Sequence, residues 1–317
     1  MKLNPSEELC WGTLGTVRPF PDFHPERDVA VIQAALDKKD INTLVRILTN
    51  RSNAQRQVLA QIYQNLTKKD LKAGLKKVLS GDLEALMLGL MMTPYQFEAH
   101  RLRQAMEGVG TDEETLLEIL CTRTPQQLSS INAVYNKEYK CDLEKDLISE
   151  TSGDFTKLLV ALLKKEPGRG PVEPDTEALS EELSNKKVDA GPWIRILTTR
   201  DPAHLRNVLI QLEAETGQPV SDVIEKRFGG IFSGDFKLGL KTLVRCIQNP
   251  HLYLAQRIKN MKASVLQGVM LSHSEEDLLA VRVAYKAQTG TSLYTTLQKQ
   301  FKGDLQQALL AVCRAED

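Results

Sequence analysis

The sequence predicts an all-α protein made of four repeats of five helices each. Three observations predict it. Two short markers recur four times at near-constant spacing, apolar residues fall at helical intervals between them, and strand signals are nearly absent.

The first marker is a polar knot closing an apolar helix: Thr49-Asn50-Arg51-Ser52, Thr122-Arg123-Thr124, Thr198-Thr199-Arg200-Asp201 and Leu271-Ser272-His273-Ser274. The second is a Gly-Asp pair opening an apolar helix, at Gly81, Gly153, Gly234 and Gly303. The two lie 30, 30, 34 and 30 residues apart, and the third unit's four extra residues belong near Phe228-Gly229-Gly230-Ile231. Repetition this regular outranks any local motif.

In chain order, residues 1–22 read as an arm, because Gly12, Gly15, Pro19 and Pro21 forbid a long helix. Trp11 and Phe20 are expected to pin it to the body. Units follow at 23–93, 94–165, 177–249 and 250–317. The second shows the pattern best. Phe97, Leu102, Ala105 and Met106 make one apolar stripe, and Leu116, Leu117, Ile119 and Leu120 the next. Leu128, Ile131, Val134 and Tyr135 follow behind Pro125, which suits a first helical turn. Leu143, Leu147 and Ile148 mark a short fourth helix, and Phe155, Leu158, Leu159, Leu162 and Leu163 a fifth. Pro167, Gly168, Gly170, Pro171 and Pro174 make a linker over 166–176, splitting the chain into two pairs of units.

Composition removes several classes of function. Lys+Arg and Asp+Glu both number 41, so a general nucleic-acid binder is not expected, nor membrane attachment by bulk positive charge. The five scattered cysteines read as reduced thiols, and the histidines show no zinc spacing. No apolar run spans a bilayer, and Met1–Cys10 carries no apolar signal segment. The expectation is a cytoplasmic protein whose membrane contact is peripheral. No catalytic pairing and no phosphate-binding glycine loop presents itself, so no enzyme is expected.

The informative stretch is Met106-Glu-Gly-Val-Gly-Thr111, with 38 residues between Thr111 and Glu150. Two glycines turn the chain and expose carbonyls that no helix consumes. Thr111 is expected to cap the next helix in a box with Glu114. Glu150 is placed on the loop before the Gly-Asp marker. If the two loops are neighbours, the carbonyls of Met106, Gly108 and Gly110 plus a bidentate Glu150 offer five oxygens to a hard cation, Ca²⁺.

Leu48-Thr-Asn-Arg-Ser-Asn-Ala-Gln-Arg-Gln57, Met106-Glu-Gly-Val-Gly-Thr-Asp-Glu-Glu114 and Thr151-Ser-Gly-Asp-Phe155 resemble the annexin family, over about residues 23–317. The resemblance implies a curved disc whose convex face binds Ca²⁺ and acidic phospholipid, with the N-terminal arm on the concave face. It assigns Met106, Gly108, Gly110 and Glu150 as calcium ligands, and Thr111 and Glu113 as a second, weaker set. Alone, the loop also reads as a helix stop followed by a helix start. The acid at the family spacing and the repeat context favour the ion.

The other units lack the nest. Asp37-Lys-Lys-Asp-Ile41 has no glycine and reads as one residue shorter, with Val78 in the acid's place. Asn185-Lys-Lys-Val-Asp189 replaces the third loop, and its acid is lost near 229–232. In the fourth unit about five residues are missing after Met261-Lys262, and Gln300 replaces the acid. One site of four predicts weak attachment. Lys68, Lys72 and Lys76, at four-residue steps, with Lys69 and Lys77, are candidates to meet lipid phosphates, Lys76 and Lys77 foremost; a solvated charged face accounts for the same pattern. Trp193 reads as core. Glu98, Glu118, Arg123 and His273 fall where the family lines a hydrophilic channel, and buried salt bridges explain them without conduction. The arm lacks a clear amphipathic helix, so no helical partner-binding tail is expected; a protein partner reaching the arm by other means is the remaining expectation. A calcium-independent scaffold is the alternative function.

Overall fold

The computed structural model of the chain describes residues 14–168, 170–230 and 234–314. Among them it shows twenty α-helices and no strand beyond one isolated bridge. They run α1 Pro25–Lys38, α2 Ile41–Leu48, α3 Asn53–Thr67, α4 Leu71–Val78, α5 Gly81–Met91, α6 Pro94–Met106, α7 Glu113–Thr122, α8 Pro125–Tyr139, α9 Leu143–Glu150 and α10 Gly153–Leu163. Then come α11 Val172–Ser184, α12 Ala190–Thr199, α13 Pro202–Thr216, α14 Val220–Arg227, α15 Gly234–Gln248, α16 Pro250–Arg257, α17 Ala263–His273, α18 Leu278–Thr289, α19 Leu293–Gln300 and α20 Gly303–Cys313.

Both markers have physical causes. The Gly-Asp pairs open α5, α10, α15 and α20, and Gly81, Gly153 and Gly303 hold φ of 60°, 63° and 64°, where an L side chain is strained. The first three polar knots cap the helices that follow. Ser52 and Thr124 form capping boxes with Gln55 and Gln127, and Asp201 accepts from the His204 N–H at 2.9 Å. Each knot arginine also reaches back to an acid in the first helix of its unit: Arg51 to Asp28 at 2.7 Å, Arg123 to Glu98 at 3.1 Å, Arg200 to Asp175 at 2.8 Å.

The helices group into two compact units. One comprises the residues up to Phe97 together with those from Leu254 onward; the other is Glu98–Tyr253. The sequence pairs the repeats on either side of the linker, first with second and third with fourth. The structure instead groups the second with the third, and the first with the fourth. The linker is also shorter than 166–176, because Val172 to Thr176 already belong to α11. Pro174 is tolerated there because the N–H groups of a first turn need no helical partner. Gly168 joins the linker to the third repeat, donating to Thr199 O at 2.8 Å and accepting from Asp201 N at 3.0 Å.

In the first unit Ile32, Leu44, Leu59, Leu75 and Met87 are sealed from solvent, as are Leu266, Val281 and Leu297. Residues 14–22 of the arm lie on it. Phe20 exchanges two hydrogen bonds with Gln55, at 2.9 and 3.0 Å, and the Arg51 guanidinium stacks 3.9 Å from its ring centroid. Trp11 lies outside the described residues. In the second unit Trp193 is fully buried, with Phe228 edge-on at 5.4 Å. The expected stripes of the second repeat are buried except Val134 and Leu163, which are half-buried, and Ile148, which is 48% exposed. An eight-residue helix has room for one buried pair at i, i+4, and Leu143 and Leu147 are that pair. Cys121, Cys141, Cys246 and Cys313 form no disulfide, and of these four Cys141 alone is more than marginally accessible.

Candidate metal centre

α6 ends where its sequence stops being helical. The Glu107 N–H still donates to Arg103 O at 3.0 Å, and then the chain turns through Gly108 and Gly110 at φ of 86° and 83°. A Cβ at either glycine would meet nothing within 4 Å, so conformation alone demands glycine there. Val109 projects fully into solvent at the tip. The loop closes when Asp112 N donates to Ala105 O at 2.8 Å. No hydrogen bond of the described residues ends on the carbonyls of Met106, Gly108 or Gly110.

Asp112, not Thr111, caps α7, its carboxylate accepting from the Thr115 N–H at 3.1 Å and the Thr115 hydroxyl at 2.8 Å. The expected Thr111–Glu114 capping box is therefore absent, because the Thr111 hydroxyl is directed elsewhere. It donates to Glu150 Oε2 at 3.1 Å, a contact between residues 39 apart in sequence. Glu113 opens α7 two residues beyond Thr111, and no hydrogen bond ties its side chain to that hydroxyl.

Glu150 is the last residue of α9, rather than part of the following loop. It is exposed, and among the described residues it has no ion-pair partner. A carboxylate at a helix C-terminus opposes the macrodipole, at a typical cost of about 0.3–1 kcal/mol. That unfavourable charge stands beside a loop with three carbonyls lacking donors. The donor set is all oxygen, and its electrostatics suit a hard cation.

The equivalent places elsewhere are closed by the protein itself. In the first repeat Lys39 adopts the left-handed conformation, and Asp40 N returns to Ala35 O at 2.8 Å. That bond spans five residues where the Asp112–Ala105 bond spans seven, so the loop is two residues shorter and not one. Val78 is the last residue of α4, and Gln300 of α19. In the third repeat this position is Arg227, at the end of α14. Its Nη2 donates to Asn185 O, the first residue after α11, at 2.6 Å. A side-chain cation thus occupies the approach that Glu150 leaves open. The signal that finds Arg227 is the equal eight-residue length of the four fourth helices, which the insertion after Arg227 obscures in the sequence. The insertion itself lies between Arg227 and Gly234, and Ile231 and Phe232 are outside the described residues.

Lys76 and Lys77 are exposed on the last turn of α4, where cations suit the helix dipole. Lys72 shares that helix, but Lys68 does not. It terminates α3 at φ 59°, so the four-residue steps do not form one continuous face.

The residues placed at a hydrophilic channel make buried ion pairs. Arg101 meets Glu118 in bidentate fashion at 2.6 and 3.0 Å, beside Arg123 and Glu98. Burial works against the Arg101 charge, yet the field and hydrogen bonds of Glu118 outweigh it and raise its pKa. Arg101 was not singled out from the sequence. His273 is buried, with Nδ1 2.6 Å from Asp277 Oδ1.

Comparison with known proteins agrees with this architecture. The family model described as Annexin matches residues 27–90, 97–162 and 251–312. Annexin A9 of Mus musculus is 38% identical over 323 residues, covering 97% of this chain and 92% of that protein. Annexin A9 of Homo sapiens is 36% identical over 327 residues, covering 98% and 93%. Among solved structures, annexin III superposes with a TM-score of 0.91 at 34% identity, covering 96% of this chain and 98% of that one.

Proposed function

Because the chain belongs to the annexin family, we propose that it is a non-enzymatic, calcium-dependent peripheral binder of acidic phospholipid with one working loop. Family membership supports calcium-dependent membrane binding in general terms, and a non-catalytic role with it. The Met106, Gly108 and Gly110 carbonyls and the Glu150 carboxylate would hold the ion. The observation that carries this assignment is the Thr111–Glu150 hydrogen bond, which brings an unpaired carboxylate to a loop with unused carbonyls. Five protein oxygens fall short of the six to eight that Ca²⁺ takes, so water or a lipid phosphoryl oxygen completes the shell. Thr111 and Glu113 are the smaller second set. No described helix is long and apolar enough to cross a membrane, consistent with peripheral contact. Lys76 and Lys77 supply an auxiliary contact to lipid phosphate.

The closed loops of the first and third repeats, and Gln300 in the acid's place in the fourth, favour a second reading, a calcium-independent scaffold that engages protein partners, the N-terminal arm included. Co-sedimentation with phosphatidylserine liposomes over a Ca²⁺ series separates the two. Calcium-driven sedimentation that Glu150→Gln abolishes or shifts to much higher Ca²⁺ supports the proposal. Equal sedimentation without Ca²⁺, lost on charge reversal of Lys76 and Lys77, moves the function to the lysines. No sedimentation at any Ca²⁺ leaves the scaffold.

A further inference from the structure

The fourth repeat breaks a rule the other three keep. Their knots carry an arginine paired with an acid of the first helix. The fourth carries His273, and its acid comes from the opposite direction, four residues ahead, as Asp277. The turn from Ser274 to Asp277 is tight, because the Glu276 and Asp277 N–H groups both donate to His273 O, at 3.2 and 3.1 Å. Residues spaced i, i+3 and i+4 share a side of such a turn. One donor atom each from His273, Glu276 and Asp277 lies within 4.8 Å of the others. We propose that these three residues bind a borderline-soft divalent cation of the Zn²⁺ type, separate from the calcium loop.

The donor chemistry discriminates between the two ions. One imidazole nitrogen with two carboxylates is a three-ligand set that suits zinc, with a fourth position open to water. Ca²⁺ prefers six or more oxygens and gains nothing from imidazole. Burial of His273, 3% exposed, holds one donor in place, while the exposed Glu276 gives an entry route from solvent. A zinc ion sits about 2 Å from each donor, so a modest contraction of the set suffices. The ion replaces the Nδ1–Asp277 hydrogen bond, and any proton held between them is released.

The same turn anchors the N-terminal arm. The Thr16 and Val17 N–H groups donate to Ser274 O at 2.8 and 2.9 Å, and Leu279 N donates to Leu14 O at 2.8 Å. Occupancy stiffens the residues that hold the arm, so arm release and metal binding oppose each other.

The test titrates Zn²⁺ calorimetrically, and Co²⁺ by visible absorption, into the full chain carrying Glu150→Gln to silence the calcium loop. Expected are one equivalent of Zn²⁺, a tetrahedral Co²⁺ band that millimolar Ca²⁺ does not displace, and slower amide exchange at Thr16 and Val17 on loading. Glu276→Gln, at an exposed position that leaves folding intact, and Asp277→Asn are each expected to weaken binding at least tenfold. Absence of stoichiometric Zn²⁺ binding overturns the proposal. So does equal affinity in all variants, or a strong near-ultraviolet sulfur band that assigns Co²⁺ to cysteine.

Discussion

Replacing Glu118 by glutamine tests whether the buried charges between α6 and α7 act as a structural unit. Arg101 and Glu118 meet through two charge-assisted hydrogen bonds, 2.6 and 3.0 Å, with side chains 6% and 1% exposed. Arg123 and Glu98 beside them are 5% and 4% exposed, so the four groups sum to zero charge away from water. Glu118→Gln leaves a net positive charge there and turns an amide NH₂ toward a guanidinium that can only donate. Breaking one partner of a buried pair costs about 3–5 kcal/mol, a large share of the roughly 5–15 kcal/mol that holds a typical domain together. Urea unfolding followed by Trp193 fluorescence reads this unit directly; in a Trp11→Phe background Trp193 is the sole tryptophan, since the chain has two. The double variant Arg101→Met/Glu118→Leu should recover most of the loss, because an apolar pair carries no stranded charge. A loss below about 1 kcal/mol for Glu118→Gln, or a double variant worse than the single one, refutes the reasoning.

Gly108→Ala places a Cβ at φ 86°, a strain of roughly 1–2 kcal/mol that is relieved by turning the carbonyls away; the Ca²⁺ midpoint for liposome sedimentation should rise by about 5- to 30-fold with little change in thermal unfolding. Arg227→Ala removes the 2.6 Å bond to Asn185 O, and hydrogen exchange should quicken over 186–189 while global stability changes by less than about 1 kcal/mol. Asp175 has its carboxyl pKa lowered, first by the Arg200 hydrogen bond, against opposing burial, with His204 adding to it. A lowered folded-state pKa gives stability that is present above the unfolded value, near 3.9, and is lost as pH falls through the folded one. The advantage of wild type over Asp175→Asn in urea unfolding should therefore be full at pH 7 and shrink below about pH 4; an advantage independent of pH would refute the assignment.

Much of the fold is legible because the repeat is written in residues whose conformations are restricted. Glycine at positive φ, proline in a first turn and a hydroxyl or carboxylate at an N-cap each narrow the backbone to one local answer. Gly81, Gly153 and Gly303 mark helix starts for this reason. The grouping of repeats was not legible, because a Pro/Gly linker reports where the chain is irregular and says nothing about which surfaces it joins. The closeness of the Thr111 loop to Glu150 is legible from their spacing. The cap was misassigned because Thr111 and Asp112 are both good capping residues, and only the position of Glu150 decides which is used. Arg101 and Arg227 escaped notice because an arginine looks alike in sequence whether solvated, paired in the core or bonded to a distant carbonyl.

Arg227 also bears on how the four repeats respond to a changing cell. A free ion comes and goes with its concentration, so a loop that needs one has two states. An ion carried on a side chain stays in the neighbourhood at every concentration, and its effective molarity is set by the tether. The third repeat thus holds its loop by a cation that no chelator removes and no influx adds. Of the loops discussed, the one around Gly108 and Gly110 keeps carbonyls that no tethered cation engages.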